Sequence, residues 1–291
     1  MDGGARMSLP YRLSTHSVFS RPNEDTKEPR RIVFLSVEGT KTEVQYFHFV
    51  ELYRCRLNID AIVHVEVLRK TDTKSDLESV YRLLEDYVSF RTNGQFENEL
   101  QKLELRSFAV PFIQKYLQGD PSISLREKRR FEAVLREEHL DLQYLNFLNR
   151  YKGESDIFGV VIDRDCKNHT LTQMEEMIQK CKNKSYAYFI SNPCFEFWQL
   201  LHVSDVAAEY SEQLDAILEN SLDAQGNTFV SNLLFEKTGQ RKAIQDKTFL
   251  RYYLPNIDLA IDRAKAFAPS DELIDKLGTN VGELFALLRD A

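Results

Sequence analysis

An α/β fold, a parallel sheet with helices on both faces, is predicted by three features of the sequence. Apolar runs of strand length, rich in β-branched residues, alternate with amphipathic helical segments. Turn and helix-start residues follow those runs closely. The chain of 291 residues, 43% hydrophobic and 11% aromatic, can bury a large core without disulfides. Strands alternating with helices in this way send the functional loops to the carboxyl ends of the strands.

Residues 1–30 hold few apolar side chains and contain Pro10, Pro22 and Pro29, which predicts a mobile tail. The run 31–37 reads as a buried parallel strand. After it, Gly39 permits a tight turn, and Thr40 with Glu43 matches a capping box for a helix starting near Lys41. A second strand is expected over 61–68 and a helix from Asp76 to about Phe90. The segments 101–117 and 127–151 are charged and helix-favouring, separated by Gly119-Asp120-Pro121, and interrupt the alternation as a helical insertion at 95–151. The strand 156–162 and a helix from about Leu171 to Lys182 restore it. A fourth strand, 185–191, runs into Asn192-Pro193, read as an N-cap with proline at the first helical position of a helix to His202. Beyond it come a polar stretch at 220–228 and amphipathic segments at 256–267 and 271–288. The expected organisation is a core of 31–94 and 152–205, the insertion, and a helical carboxyl-terminal region, 206–291, packed on the core.

The net charge of −7 excludes a protein coated in basic residues for indiscriminate nucleic-acid binding, but leaves room for a local basic groove. The four Cys stand far apart with no zinc spacing, as expected of reduced thiols in a cytosol. No secretion-signal core is apparent, and no run approaches the roughly 18 apolar residues of a membrane span. A soluble cytoplasmic protein is the expectation.

Acidic residues cluster where a sheet of this kind would place them together. Glu38 ends the first strand, Asp163 and Asp165 end the third, and Glu196 lies in the first turn after the fourth. An alternating Asp-x-Asp aims both carboxylates one way, and a third from a neighbouring strand completes an oxygen-rich site for Mg²⁺ or Mn²⁺. Such a cation polarises phosphate oxygens and acidifies water. Glu38 is alternatively a general base. Against this, Asp163 or Asp165 could simply cap the next helix, Glu43 reads as a capping partner, and Glu196 favours its helix dipole. His169 reads as a surface residue or proton shuttle, His202 as a helix-terminal dipole partner, and Cys166 and Cys194 as packing residues. The phosphate-loop, dinucleotide, esterase and zinc-protease motifs are absent.

Between residues 237 and 251, Lys237, Arg241, Lys242, Lys247 and Arg251 face one acid, Asp246, a local charge of +4. Phe249, Tyr252 and Tyr253 lie among them, a mixture suited to nucleic-acid phosphates and stacked bases, or to a solvated helix face. Lys41, Lys70 and Lys74 near strand ends could add phosphate contacts.

The string Val37-Glu38-Gly39-x-x-Thr42-Glu43-x-x-Tyr46-Phe47, the later Asp163-x-Asp165, and Ser191-Asn192-Pro193-Cys194-Phe195-Glu196-x-Trp198-x-Leu200-Leu201-His202 together resemble the RloB family. The resemblance implies a Toprim-like sheet in which Glu38, Asp163 and Asp165 match the metal-site acids of Toprim enzymes. It further implies a magnesium-dependent nuclease effector of antiphage defence, acting on RNA, tRNA above all, or on DNA, beside an ABC-type ATPase encoded nearby. In that reading Glu196 is a supporting catalytic acid, and Lys41, Lys242 and Lys247 contact the substrate backbone. The long insertion departs from the pattern and is a candidate partner-binding or homodimer element. The alternative is a non-catalytic adaptor that keeps the scaffold to bind nucleic acid or the ATPase.

Overall fold

A computed structural model describes residues 31–39, 41–59, 63–68, 77–92, 108–137, 155–165, 168–241 and 243–289. The sheet contains β1 (Arg31–Val37), β2 (Val63–Leu68), β3 (Ile157–Asp163), β4 (Ala187–Asn192) and β5 (Gly278–Thr279), in the order β2-β1-β3-β4-β5. The first four strands run parallel, and β5 pairs antiparallel with β4. The predicted parallel sheet therefore acquires a short antiparallel edge strand where the sequence predicts part of the amphipathic segment 271–288.

Alternation along each strand builds two cores. Val33, Leu35 and Val37 point to one face and Ile32 and Phe34 to the other. The first face is covered by α1 (Thr42–Leu52), α6 (Phe195–Val203), α8 (Phe229–Thr238), α9 (Ile257–Ala264) and α10 (Val281–Arg289). The second carries α2 (Leu77–Thr92) and α5 (Leu171–Asn183). Helix α6 is apolar nearly all round, and its Phe195, Phe197, Trp198, Leu200 and Leu201 are buried, as expected of a helix enclosed by others. The apolar residues of the string 191–202 thus serve packing.

Helix α5 starts at a capping box in which Thr170 and Gln173 satisfy each other's backbone N–H groups. The start of α1 lies one residue later than expected. Lys41 is the N-cap and makes no side-chain cap, while Glu43 reaches back to accept from the Gly39 N–H at 3.1 Å. Thr40 lies outside the described residues.

The start of α6 also differs from expectation. Asn192-Pro193 is a cis peptide, Pro193 precedes the helix, and Cys194 is the N-cap. Asn192 instead turns its amide to the Leu273 carbonyl at 2.8 Å. The cap comes from another strand: Asp163 Oδ1 accepts from Phe195 N at 2.9 Å. Residues 271–288 are not one helix, because β5 and turns interrupt them before α10. Gly278 passes so close to Leu273 and Ala268 that a Cβ would collide. Beyond β5, Asn280 continues the pairing through its side chain, accepting from Ile190 N at 2.6 Å and donating to Tyr188 O at 3.2 Å.

Within the expected insertion, α3 (Val110–Leu117) and α4 (Leu125–Glu137) form a hairpin around Phe108, Ile113, Phe131 and Leu135. The expectations for residues 1–30, 93–107 and 138–154 fall outside the described residues. Among the described residues, no helix is long and apolar enough to cross a membrane.

Candidate functional site

Strand order reverses direction between β1 and β3, and ligands in open α/β sheets bind outside the carboxyl ends of strands at such a point. A cleft of about 830 Å³ lies there. One wall comes from the residues after β1, β3 and β4, the other from α7 (Leu214–Glu219) and the loop that follows it.

Each acid is placed by its strand. The Glu38 N–H extends the sheet ladder to Val161 O at 3.1 Å, which fixes Glu38 beside Asp163. Its carboxylate accepts from Asp163 N at 3.1 Å through Oε2, and its Oε1 lies 3.2 Å from His169 Nε2. Glu38 is therefore a buried brace behind the cleft wall rather than part of its lining. Asp163 and Asp165 both line the cleft, as alternation requires. Arg164 between them turns away and is buried, donating to Ile274 O at 2.6 Å and His169 O at 2.7 Å. Asp165 is held by Asn168 Nδ2 at 2.7 Å. Glu196, in the first turn of α6, completes this wall.

Glu43 joins them, so its reading as a capping partner alone is corrected. It is buried, it lines the cleft, and it reaches that position because Gly39 lacks a Cβ, which would strike the Glu43 carboxyl. Burial, with the charges of Glu196 and Glu38, raises the Glu43 pKa to about 7. Asp163 keeps some access to the cleft but is surrounded by protein. Burial first, then Glu43, Glu38 and Glu196, hold its pKa well above the usual carboxylate range. The cleft is thus a place where negative charges are crowded against their own repulsion, an arrangement that an added cation would relieve.

Two histidines also depart from expectation. His169 is buried against Glu38 instead of lying on the surface. His202 does not act as a charged dipole partner. Burial lowers its pKa to about 3, with the Arg263 charge adding to the effect. Because the Trp198 carbonyl can only accept, His202 Nδ1 carries the hydrogen at 2.9 Å, and Nε2 accepts from the Tyr46 hydroxyl at 3.0 Å. Cys194 is buried beside the cleft, and its thiol pKa is raised well above normal by burial and then by Glu196 and Asp163.

Of the expected substrate contacts, Lys41 is exposed and is the only cation lining the cleft among the described residues. Lys247 is exposed but away from that lining, and Lys242, Lys70, Lys74 and Cys166 lie outside the described residues. The stacking expectation for 237–251 is corrected by burial: Phe249 and Tyr253 are core residues. Lys237 pairs with Glu209 at 2.5 Å, and Arg241 sits 4.0 Å over the Phe235 ring. Sequence reading gives Glu43 as a capping partner and His169 as a surface residue or proton shuttle, and it misses Asp215 and Glu219 on the far wall. The first two were recognisable only as short-range neighbours of Glu38 and Asp163; the far wall carries no local signal.

Fold and cleft define an α/β protein with an acidic site at the switch point of a mostly parallel sheet. The family model for RloB-like proteins matches residues 33–288, nearly the whole chain, and the protein belongs to that family. No curated protein and no solved structure gives a significant match.

Proposed function

We propose that the protein is a Toprim-type metal-dependent phosphodiesterase acting on RNA, tRNA above all, as the effector of an antiphage system with an ABC-type ATPase partner. The observation that carries this reading is the crowding of Glu43, Asp163, Asp165 and Glu196 into one cleft at the switch point, where desolvation and mutual repulsion raise the pKa of Asp163 and Glu43. Their all-oxygen donor set suits Mg²⁺ or Mn²⁺, which keep several waters and need only one or two protein carboxylates. Asp163, with Asp165 or Glu196, would hold the ion. When bound, the ion supplies a polarised phosphate oxygen and a more acidic water. The chain's own part is positional: Glu38 braces the Asp163 backbone, His169 braces Glu38, and the Phe195 N–H orients the Asp163 carboxylate. Lys41 stands at the rim for a phosphate.

Nuclease assays with Mg²⁺ on single-stranded RNA, tRNA and DNA test the reading, comparing wild type with Asp163→Asn. Asparagine keeps an oxygen for the Phe195 N–H, so it removes charge without removing the cap. Cleavage by wild type and its loss in the variant are expected. Equal inertness of the two on every substrate, with the ATPase present, would refute the reading.

A second reading has its own observation. Among the described residues no three His, Cys, Asp or Glu side chains converge as a ready-made metal site. A non-catalytic adaptor for nucleic acid or the ATPase would need none. Calorimetry separates the two, since the adaptor predicts no Mn²⁺ uptake that depends on Asp163.

A further inference from the structure

A polyanionic substrate must be held by cations, and the cleft supplies one lysine among six acids. Much of the 237–251 excess is engaged within the protein: Lys237 with Glu209, Arg241 on Phe235, and Arg251 on Tyr252. A different surface is free to do this work. In α4, the sequence Arg126-Glu127-Lys128-Arg129-Arg130 places four cations in the amino-terminal half, all exposed. Arg126, Arg129 and Arg130, at i, i+3 and i+4, share one face. Phe131, Val134 and Leu135 turn an adjoining face onto Phe108 and Ile113.

The one acid in this stretch is already occupied. Glu127 closes a capping box with Ser124, accepting from its N–H at 3.1 Å while the Glu127 N–H donates to Ser124 Oγ at 3.3 Å. Its pKa is lowered by those bonds, so it stays ionised at the cap. Arg126, Lys128 and Arg129 make no hydrogen bond or ion pair with another described residue, and only Arg130 has a ring partner, Phe108. Cations near a helix amino terminus work against its dipole, so helix stability does not explain them. The same dipole adds to their attraction for phosphate.

We propose that this arginine face of the α3–α4 hairpin is a nucleic-acid docking surface, binding the phosphate backbone of a single-stranded or hairpin RNA without reading its bases. The choice of nucleic acid over another polyanion rests on the nuclease reading.

The test is fluorescence anisotropy of the full chain with labelled oligouridine and a labelled RNA hairpin, in EDTA and across a salt series. The variant Arg126→Gln/Lys128→Gln/Arg129→Gln leaves Arg130 on Phe108. A matched control, Lys184→Gln/Lys265→Gln/Lys276→Gln, removes the same net charge from exposed lysines paired elsewhere with Glu85, Asp262 and Glu272. The hairpin variant is expected to weaken binding about tenfold or more at low salt and to flatten the log–log salt slope by about 2, while the control changes neither. Equal losses in the two variants would show a net-charge effect and overturn the proposal. So would unchanged RNA affinity in the hairpin variant, with or without lost binding of an acidic protein, or absence of wild-type binding to either probe. Cleavage by a hairpin variant with unaltered binding removes this inference and leaves the nuclease reading standing. Hairpin-dependent binding without Asp163-dependent cleavage or Mn²⁺ uptake does the reverse.

Discussion

Replacing His202 by Gln isolates a buried titration that the fold imposes on a residue of the family string. His202 is fully enclosed, bonded to Trp198 O and to the Tyr46 hydroxyl, and burial moves its pKa from 6.5 to about 3. The unfolded chain takes up a proton below about pH 6.5 that the native state refuses until about pH 3. Stability is therefore lost as pH falls through that window, by about 1.4 kcal/mol per unit. From about pH 7.5 to about pH 5 roughly one and a half units fall inside it, so His202 alone should remove about 2 kcal/mol. Urea unfolding of wild type and His202→Gln at both pH values gives the difference directly, because every other titrating group cancels between the two proteins. The wild type should lose about 2 kcal/mol more than the variant on acidification. An equal loss in both proteins would refute the neutral state assigned to the buried imidazole and the role given to burial.

Asn280→Ala should cost about 1–3 kcal/mol in thermal or urea unfolding, because the buried Ile190 N–H loses its acceptor. Gly39→Ala should leave the melting temperature near wild type while weakening Mn²⁺ affinity in calorimetry, since the new methyl displaces only the end of the Glu43 side chain from the cleft. Arg164→Leu should destabilise the fold by about 3 kcal/mol, because two charge-assisted bonds to Ile274 O and His169 O are lost. Its His169 loop should show faster amide exchange than the rest of the chain.

Strands β1, β3 and β4 were readable because each is a short apolar run whose consecutive residues are buried, so burial itself writes the signal. The fifth strand was not, because Gly278–Thr279 is two residues long and its continuation is the side chain of Asn280, which resembles no strand pattern. The site divided in the same way. Alternation made Asp163 and Asp165 neighbours on one face whatever the rest of the chain did. Glu43 was hidden because the feature that marks a helix start, a carboxylate in the first turn, is the same feature that lets it bend back over Gly39 into the cleft. His202 read as a charged helix end because sequence shows its position in the helix and nothing of the Tyr46 and Trp198 groups that enclose it.

Sequence by itself determined the α/β class, the family and the strand ends that carry the acids, since these follow from short-range periodicity and a contiguous string. Only the tertiary structure decided which carboxylates share the cleft, that Asp163 caps a helix from a neighbouring strand, and that Phe249 and Tyr253 are core rather than stacking platforms. Those outcomes depend on burial and on contacts between residues far apart in the chain, where desolvation and repulsion set the protonation of each group.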